Sequence, residues 1–403
     1  MTKVRIALIT VWFQPNNGVA VNRMNTFANY LGKDFNLEVF TLGKENKTIS
    51  TDFGKVHYLK TNRFWDKIKH KNSDSKLLHH FKTILNILVL KLNISKLKSW
   101  QSRSISSVNK RHELTPFELI ISSFAPVEAH NVAFEVKKQH SEIKWIADMR
   151  DEMSKNPFLS ATNQKRMRVK EKEFDGYIDA ITSVSKPILD DFRTLFQKVY
   201  FYEEVRNGFD HQVRPNKKFN DVFTFVHAGT FYGVIKPDVF FKALIDLLKD
   251  GEIGIDFKIK LVGAFNNFTI PREIEPYLEF IPKVDYLRAI EYIRDADCNL
   301  LMCPPLDAMG RYTGKLFDYL SVEKPILAMI DKRDVGADLI NEHKGGFVAD
   351  FYDEDEIKKG ILEIYDNWKK KIELPFDWDK TKTLHRKFQV DKMKTLIDKI
   401  LQK

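Results

Sequence analysis

The chain has 403 residues, 43% apolar and 30% charged, which excludes a disordered polymer and, at roughly 100–200 residues per domain, favours two domains. Only Cys298 and Cys303 are present and no Cys/His cluster has zinc spacing, which excludes a disulfide framework and fits a reducing cytoplasm. The net charge of +10 is local: residues 63–111 hold twelve Lys and Arg against two acids, so one basic surface is expected on an otherwise neutral chain.

The N-terminus does not read as a signal peptide, because Lys3 and Arg5 lead into a β-branched run too short for an apolar core. No apolar run reaches about 18 residues, so no membrane-spanning helix is expected and the protein is soluble or peripheral. Val4 to Thr10 reads as a strand buried on both faces, followed by the turn Gln14-Pro15-Asn16-Asn17-Gly18 and a helix from Val19 to Leu31. Further short buried strands are expected at Leu37–Leu42, Leu119–Ser122, Trp145–Ala147 and Ala180–Val184. Between them, 60–115 reads as a basic insertion, with Lys67, Lys69, Lys71, Lys76, Lys82, Lys91, Lys96 and Lys98 around the apolar stretch Ile84–Ile94. That pattern suits an anionic membrane surface, and equally a solvated insertion around a buried helix. No nucleic-acid module surrounds it, so nucleic acid is not an expected partner.

The strand–loop–helix unit then recurs. Phe223–Ala228 runs into Gly229-Thr230, Pro237–Lys249 is helical, and Phe257–Val262 ends at Gly263. Leu278–Ile281, Cys298–Met302 and Pro325–Ile330 continue the alternation. The fold class is therefore α/β with two Rossmann-like halves, joined near the polar turn-rich stretch Asn207–Phe219. The expected domains are 1–210, 211–380, and a terminal helix in 381–403 whose apolar spacing (Phe388, Val390, Met393, Leu396, Ile397, Ile400) suits packing back on the first domain.

Ligand-binding candidates are the residues that follow strands. Arg311-Tyr312-Thr313-Gly314-Lys315 opens a helix, whose free N–H groups suit a diphosphate. Gly314 permits close approach and Lys315 adds a charge. Asp318, one turn on, offers a carboxylate to a diol. An ordinary capping loop on a surface helix gives the same local pattern. Asp148, Arg150 and Asp151 follow a buried strand, where either a structural ion pair or an acceptor site fits. Asp151 is a candidate to bind an acceptor hydroxyl or to help remove its proton. Lys236-Pro237 reads as a helix start as readily as a phosphate contact.

The order of Trp145-Ile-Ala-Asp-Met-Arg-Asp151, Asn207-Gly-Phe-Asp210, His227-Ala-Gly-Thr-Phe-Tyr232, Leu261-Val-Gly263 and Tyr312-Thr-Gly-Lys-Leu-Phe-Asp-Tyr319 before Lys324-Pro-Ile326 resembles family 4 of the retaining glycosyltransferases, over nearly the whole chain. The resemblance implies a GT-B architecture, two facing Rossmann-like domains with an interdomain cleft, and a sugar moved from a nucleotide-diphosphate donor to a glycan or lipid-linked acceptor. It places the donor on Gly18, Gly229, Thr230, Gly263, Tyr312, Thr313, Gly314, Lys315 and Asp318, with Asp318 on the ribose hydroxyls and Lys236 and Lys315 beside the phosphates. It places the acceptor near Asn17, Asp148, Arg150 and Asp151. Retention of configuration and a setting in bacterial surface polysaccharide synthesis follow from the likeness alone. The family's second acid, eight residues before Asp318, is here Gly310, with Asp307 nearby. No Mg2+-binding Asp-x-Asp motif is evident, so neither a metal nor another cofactor is expected. A nucleotide-sugar epimerase of the same fold and a catalytically silent binding protein are the rival readings.

Overall fold

The computed structural model describes residues 3–16, 18–62, 80–84, 95–231, 233–263, 268–305 and 309–402. Asn17, Asp307 and the greater part of the basic insertion, including its apolar stretch beyond Ile84, lie outside the described residues. The chain divides into two units, Met1–Val205 with Val390–Lys403, and Arg206–Gln389.

In the first unit, β1 (Arg5–Ile9) is buried throughout, as an aliphatic run must be when both faces of a parallel sheet are covered. It leads into α1 (Val19–Leu31), then β2 (Asn36–Gly43), β3 (Lys47–Thr51), β4 (Gly54–Lys60) and α2 (Lys98–Leu114). There follow β5 (Leu119–Phe124), α3 (Glu128–Gln139), β6 (Lys144–Met149), α4 (Ala161–Phe174), β7 (Ala180–Ser183), α5 (Lys186–Leu195) and β8 (Phe201–Glu204). The sheet order is β3-β4-β2-β1-β5-β6-β7-β8, parallel except for the edge strand β3 against β4. Strand order reverses between β1 and β5, the switch point at which α/β sheets leave a crevice beyond their carboxyl ends.

Two buried ionic hubs hold this sheet. Glu38 on β2 accepts hydrogen bonds from Arg5, from His57 Nε2 at 2.7 Å and from Arg111 Nε at 2.8 Å. These donors hold its carboxyl well below the usual carboxylate range despite burial, which acts the other way. Arg111 belongs to the basic stretch, so one of its cations serves the core rather than a surface. Arg23 and Asp148 form the second hub, described below.

The second unit contains β9 (Phe223–Ala228), α6 (Asp238–Lys249), β10 (Phe257–Val262), β11 (Leu278–Ile281), α7 (Tyr286–Arg294), β12 (Cys298–Cys303) and α8 (Gly314–Ser321). After these come β13 (Ile326–Ile330), α9 (Val335–Glu342), β14 (Gly346–Ala349), α10 (Glu354–Lys369) and α11 (Trp378–Thr381). Its six strands are ordered β11-β10-β9-β12-β13-β14, all parallel, again with a reversal beside the first strand of the unit. The abundant phenylalanines fill its core, with Phe223 meeting Phe225 edge to face at 4.7 Å and Phe225 meeting Phe240 at 5.3 Å. The last helix, α12 (Arg386–Leu401), starts in this unit. From Val390 it buries Met393, Leu396, Ile397 and Ile400 among Ile6, Leu8 and Leu31 of the first.

Candidate functional site

The β9–β12 ladder ends at Val226 and Asn299, so the two strands part toward their carboxyl ends. Side chains fill the gap. His227 Nδ1 donates to Leu300 O at 3.0 Å, and the Tyr319 hydroxyl accepts from Ala228 N at 3.0 Å. Beyond this plug lies a cavity of about 340 Å3, lined among others by Gly229, Thr230, Gly263, Lys283, Tyr286, Lys315 and Asp318. It sits at the switch point of the second sheet and is within the size range of small-molecule sites.

Helix α8 delivers the charged groups. The Thr313 side chain caps it by accepting from Lys315 N at 3.2 Å, a cap that Gly314 follows directly. Lys315 and Asp318 are three residues apart, so both fall on the cavity face of one turn. The Asp318 carboxylate accepts from the Tyr286 hydroxyl at 2.6 Å. Burial pushes its pKa up to about 6, and the tyrosine hydrogen bond only partly offsets that. Burial likewise holds the Lys315 ammonium below the ordinary lysine value. Gly229 lies against this lysine with φ +119, and a Cβ there would meet Lys315 Cε at 2.4 Å. Only glycine lets the backbone turn and the lysine pass together.

Five of the residues expected at a donor site thus line one cavity: Gly229, Thr230, Gly263, Lys315 and Asp318. Tyr312 and Thr313 do not line it. Tyr312 packs edge-on against Phe317, and Thr313 faces a separate small recess with Cys303, Arg311 and Asp334. Lys236 is exposed and outside the lining, so a phosphate held there is not brought together with Lys315. His227 stacks on Phe231 at 4.3 Å, and burial with the nearby Lys315 charge pushes it down to about 3. It is therefore a neutral, fully buried residue of the plug and does not line the cavity. Gly310 N donates to Asp334 Oδ1 at 2.6 Å, so the backbone at the missing-acid position is held by a neighbouring carboxylate.

In the first unit, Gly18 is the N-cap of α1 at φ +138, with open space where a Cβ would stand. Asp148 needs correction as an acceptor contact. It is fully buried, paired to Arg23 NH2 at 2.6 Å and Nε at 3.1 Å, with Thr182 and Ser123 donating to the same oxygens. Arg23 also donates to Val205 O at 2.7 Å, so the pair is sheet framework. Arg150 is also largely committed, donating to Phe124 O at 3.2 Å and Ala125 O at 3.3 Å. Asp151, 3.4 Å from Arg150, keeps a partly exposed carboxylate.

Sequence reasoning missed Lys283 and Tyr286. The available signal was Asp285, which caps α7 by accepting from Arg288 N at 3.0 Å and so fixes a helix start beside the third strand of the unit. Outside the cavity, among the described residues, His112, His140 and Glu142 form one trio with ligand atoms within 4.8 Å. His112 Nδ1 accepts from Phe117 N at 3.0 Å, which leaves the proton on Nε2, the atom facing Glu142. A metal-bound histidine donates from its second nitrogen instead, so this trio does not fit a cation.

No family model matches the chain, and no curated protein matches it by sequence. Solved structures do. A sucrose-phosphate synthase from Thermosynechococcus elongatus superposes with a TM-score of 0.66 at 12% identity, covering 99% of this chain and 100% of its own. The Anabaena protein Alr3699/HepE, solved with UDP and glucose, gives 0.56 at 14% identity over 99% and 97%. A protein from Listeria monocytogenes described as a putative UDP-N-acetylglucosamine 2-epimerase gives 0.52 at 9% identity over 98% and 96%. With two Rossmann-like units matched across whole chains, the protein has the GT-B fold.

Proposed function

We propose that the protein is a glycosyltransferase that binds a nucleoside-diphosphate sugar in its C-terminal unit and transfers the sugar to a glycan or lipid-linked acceptor. The observation that carries this reading is the switch-point cavity with Lys315 and Asp318 on one helix turn. A ribose diol on the ionised Asp318 carboxylate regains the hydrogen bonds that burial denies it. The diphosphate then meets Lys315 and the N–H groups that open α8 at Gly314. Glycosyl transfer builds negative charge on the leaving diphosphate, and a fixed ammonium and helix terminus stabilise that charge without reorganising. Gly229 and Gly263 supply close backbone approach, with the base beside Gly263.

Asp151, whose partly exposed carboxylate lies 3.4 Å from Arg150, is the group assigned in this proposal to take the acceptor's hydroxyl proton. Retention of configuration, a hexosyl donor and a role in bacterial surface polysaccharide synthesis rest on the sequence resemblance and complete the proposal. No metal is assigned to the reaction. Among the described residues no helix is long and apolar enough to cross a membrane, and a peripheral contact through 63–111 is part of the same proposal.

The test is turnover of UDP-, GDP- and ADP-sugars with and without added glycan or polyprenyl-phosphate acceptors. Nucleoside diphosphate release that requires an acceptor supports the transferase. Epimerised or hydrolysed sugar without acceptor supports the epimerase that the fold also accommodates. Neither turnover nor nucleotide binding would mark a silent protein.

A further inference from the structure

A second and larger cavity, about 1010 Å3, opens in the first unit at the carboxyl ends of β2 and β4, against the loop that follows β1. The donor reading makes no use of it. Its apolar lining includes Leu42, Ile49 and Tyr58, and its cationic lining is Lys44, Lys47 and Lys60. Sheet register explains the grouping. Lys47 on β3 stands directly opposite Tyr58 on β4, and opposite residues of an antiparallel pair share a face. Lys60 follows Tyr58 by two residues and so lies on that face as well. The Tyr58 hydroxyl donates to Gln14 O at 3.1 Å, which ties the β1 loop to the sheet and closes one wall.

The charges are unbalanced. Lys47 has Glu45 at 3.5 Å and sits over the Tyr58 ring at 5.5 Å. Lys44 and Lys60 have no carboxylate partner among the described residues. Three separate ammonium groups, one acid and no guanidinium fork in the lining favour a compact, multiply charged anion over a planar carboxylate. A phosphate ester carries about −1.5 to −2 charges at neutral pH. The volume far exceeds a phosphate, which leaves room for an organic portion against the apolar lining.

We propose that this cavity holds a phosphate-bearing acceptor, its phosphate on Lys44, Lys47 and Lys60 and its saccharide or prenyl part against Ile49 and Tyr58. The proposal rests on the transferase reading, since it names the acceptor class for that reaction. The phosphate arrives either on a soluble sugar or on a lipid carrier. The experiment is calorimetric titration of the full-length protein, with UDP at saturation, using glucose 6-phosphate and geranyl phosphate as probes and glucose, geraniol and glucuronate as controls. Lys44→Gln/Lys60→Gln is compared with wild type.

Binding of either phosphate probe, weakened about tenfold or more in the double variant and by added salt, supports the site. Glucose 6-phosphate alone points to a soluble acceptor and geranyl phosphate alone to a lipid-linked one. Absence of binding by both, equal binding by the double variant, or glucuronate binding as tightly as glucose 6-phosphate would overturn it. UDP titration of the same proteins separates the two ideas. If UDP binds and the phosphate probes do not, only the acceptor site fails. If UDP does not bind wild type, the donor reading fails and the probe titrations still judge this cavity.

Discussion

Asp318 carries a cost that a ligand can remove. Its carboxyl titrates near 6 rather than near 3.8, so the folded state holds this proton more tightly than the unfolded chain does. The sign follows: stability falls as pH rises from about 3.8 to 6 and stays lower above that window. Asp318→Asn is therefore expected to raise unfolding stability at pH 7 by on the order of 1–2 kcal/mol while weakening nucleotide binding. Urea unfolding of both proteins at pH 4 and pH 7 checks it, and a variant less stable than wild type at pH 7 would contradict it. At Gly229 the expectation is steric. A methyl group 2.4 Å from Lys315 Cε, on a backbone at φ +119, must displace the lysine, so Gly229→Ala should lose nucleotide affinity by about tenfold or more. Retention of wild-type affinity by that variant would detach Lys315 from the diphosphate.

The same residue scale shows what was legible in the sequence. Lys315 and Asp318 stood out because both lie on one short helix whose start is written locally as Thr-Gly-Lys. Tyr286 and Lys283 did not, because Asp285 signals only a helix start, while the place of both residues in the cavity depends on β11 pairing with β10, a long-range fact. Asp148 misled for a related reason. A carboxylate at a strand end reads as exposed chemistry until Arg23, distant in sequence, is found on both of its oxygens.

At the scale of elements, aliphatic strands such as β1, β9 and β10 announce themselves by composition. β3 is polar and exposed along most of its length, so its Lys-Thr-Ile-Ser-Thr run gave no apolar signal, yet it builds one wall of the phosphate-binding cavity proposed above. The β1–β2–β4 layer is held by Glu38, which joins β1, β4 and α2 through Arg5, His57 and Arg111. Its carboxyl is depressed below the ordinary 4.5, so its contribution is complete above that value and is lost as pH falls below it. Glu38→Gln should destabilise the protein by about 3–5 kcal/mol at pH 7, because it strands two arginines and a histidine in the core. The penalty should shrink in acid, where the unfolded wild-type chain takes up a proton that the folded carboxylate still refuses. Denaturant titrations at pH 7 and pH 3 measure this, and an equal penalty at both would remove Glu38 from the pH dependence.

For the whole molecule, two sheets of the same strand logic carry different chemistry. The cavity of the second unit sets two lysines, Lys283 and Lys315, with one carboxylate, Asp318, a combination that suits the proposed nucleoside diphosphate. That of the first collects cations on an apolar wall. Because every lining residue of the donor cavity lies in Arg206–Gln389, UDP is expected to slow amide exchange at 228–230, 262–263, 283–293 and 314–319. Protection confined to other segments would move the nucleotide elsewhere. On the proposed donor reading, Gly310 in place of the resembled family's acid removes one sugar contact, so discrimination among nucleosides should exceed discrimination among their sugars.

The central claim is that Asp318 and Lys315 form a nucleoside-diphosphate site, and titrating UDP, GDP and ADP into wild type and Asp318→Ala by calorimetry tests it most directly. One of the three should bind wild type with a dissociation constant at least about tenfold below that of the variant. Equal affinity in the two proteins, or no binding of any nucleotide to wild type, would contradict the claim.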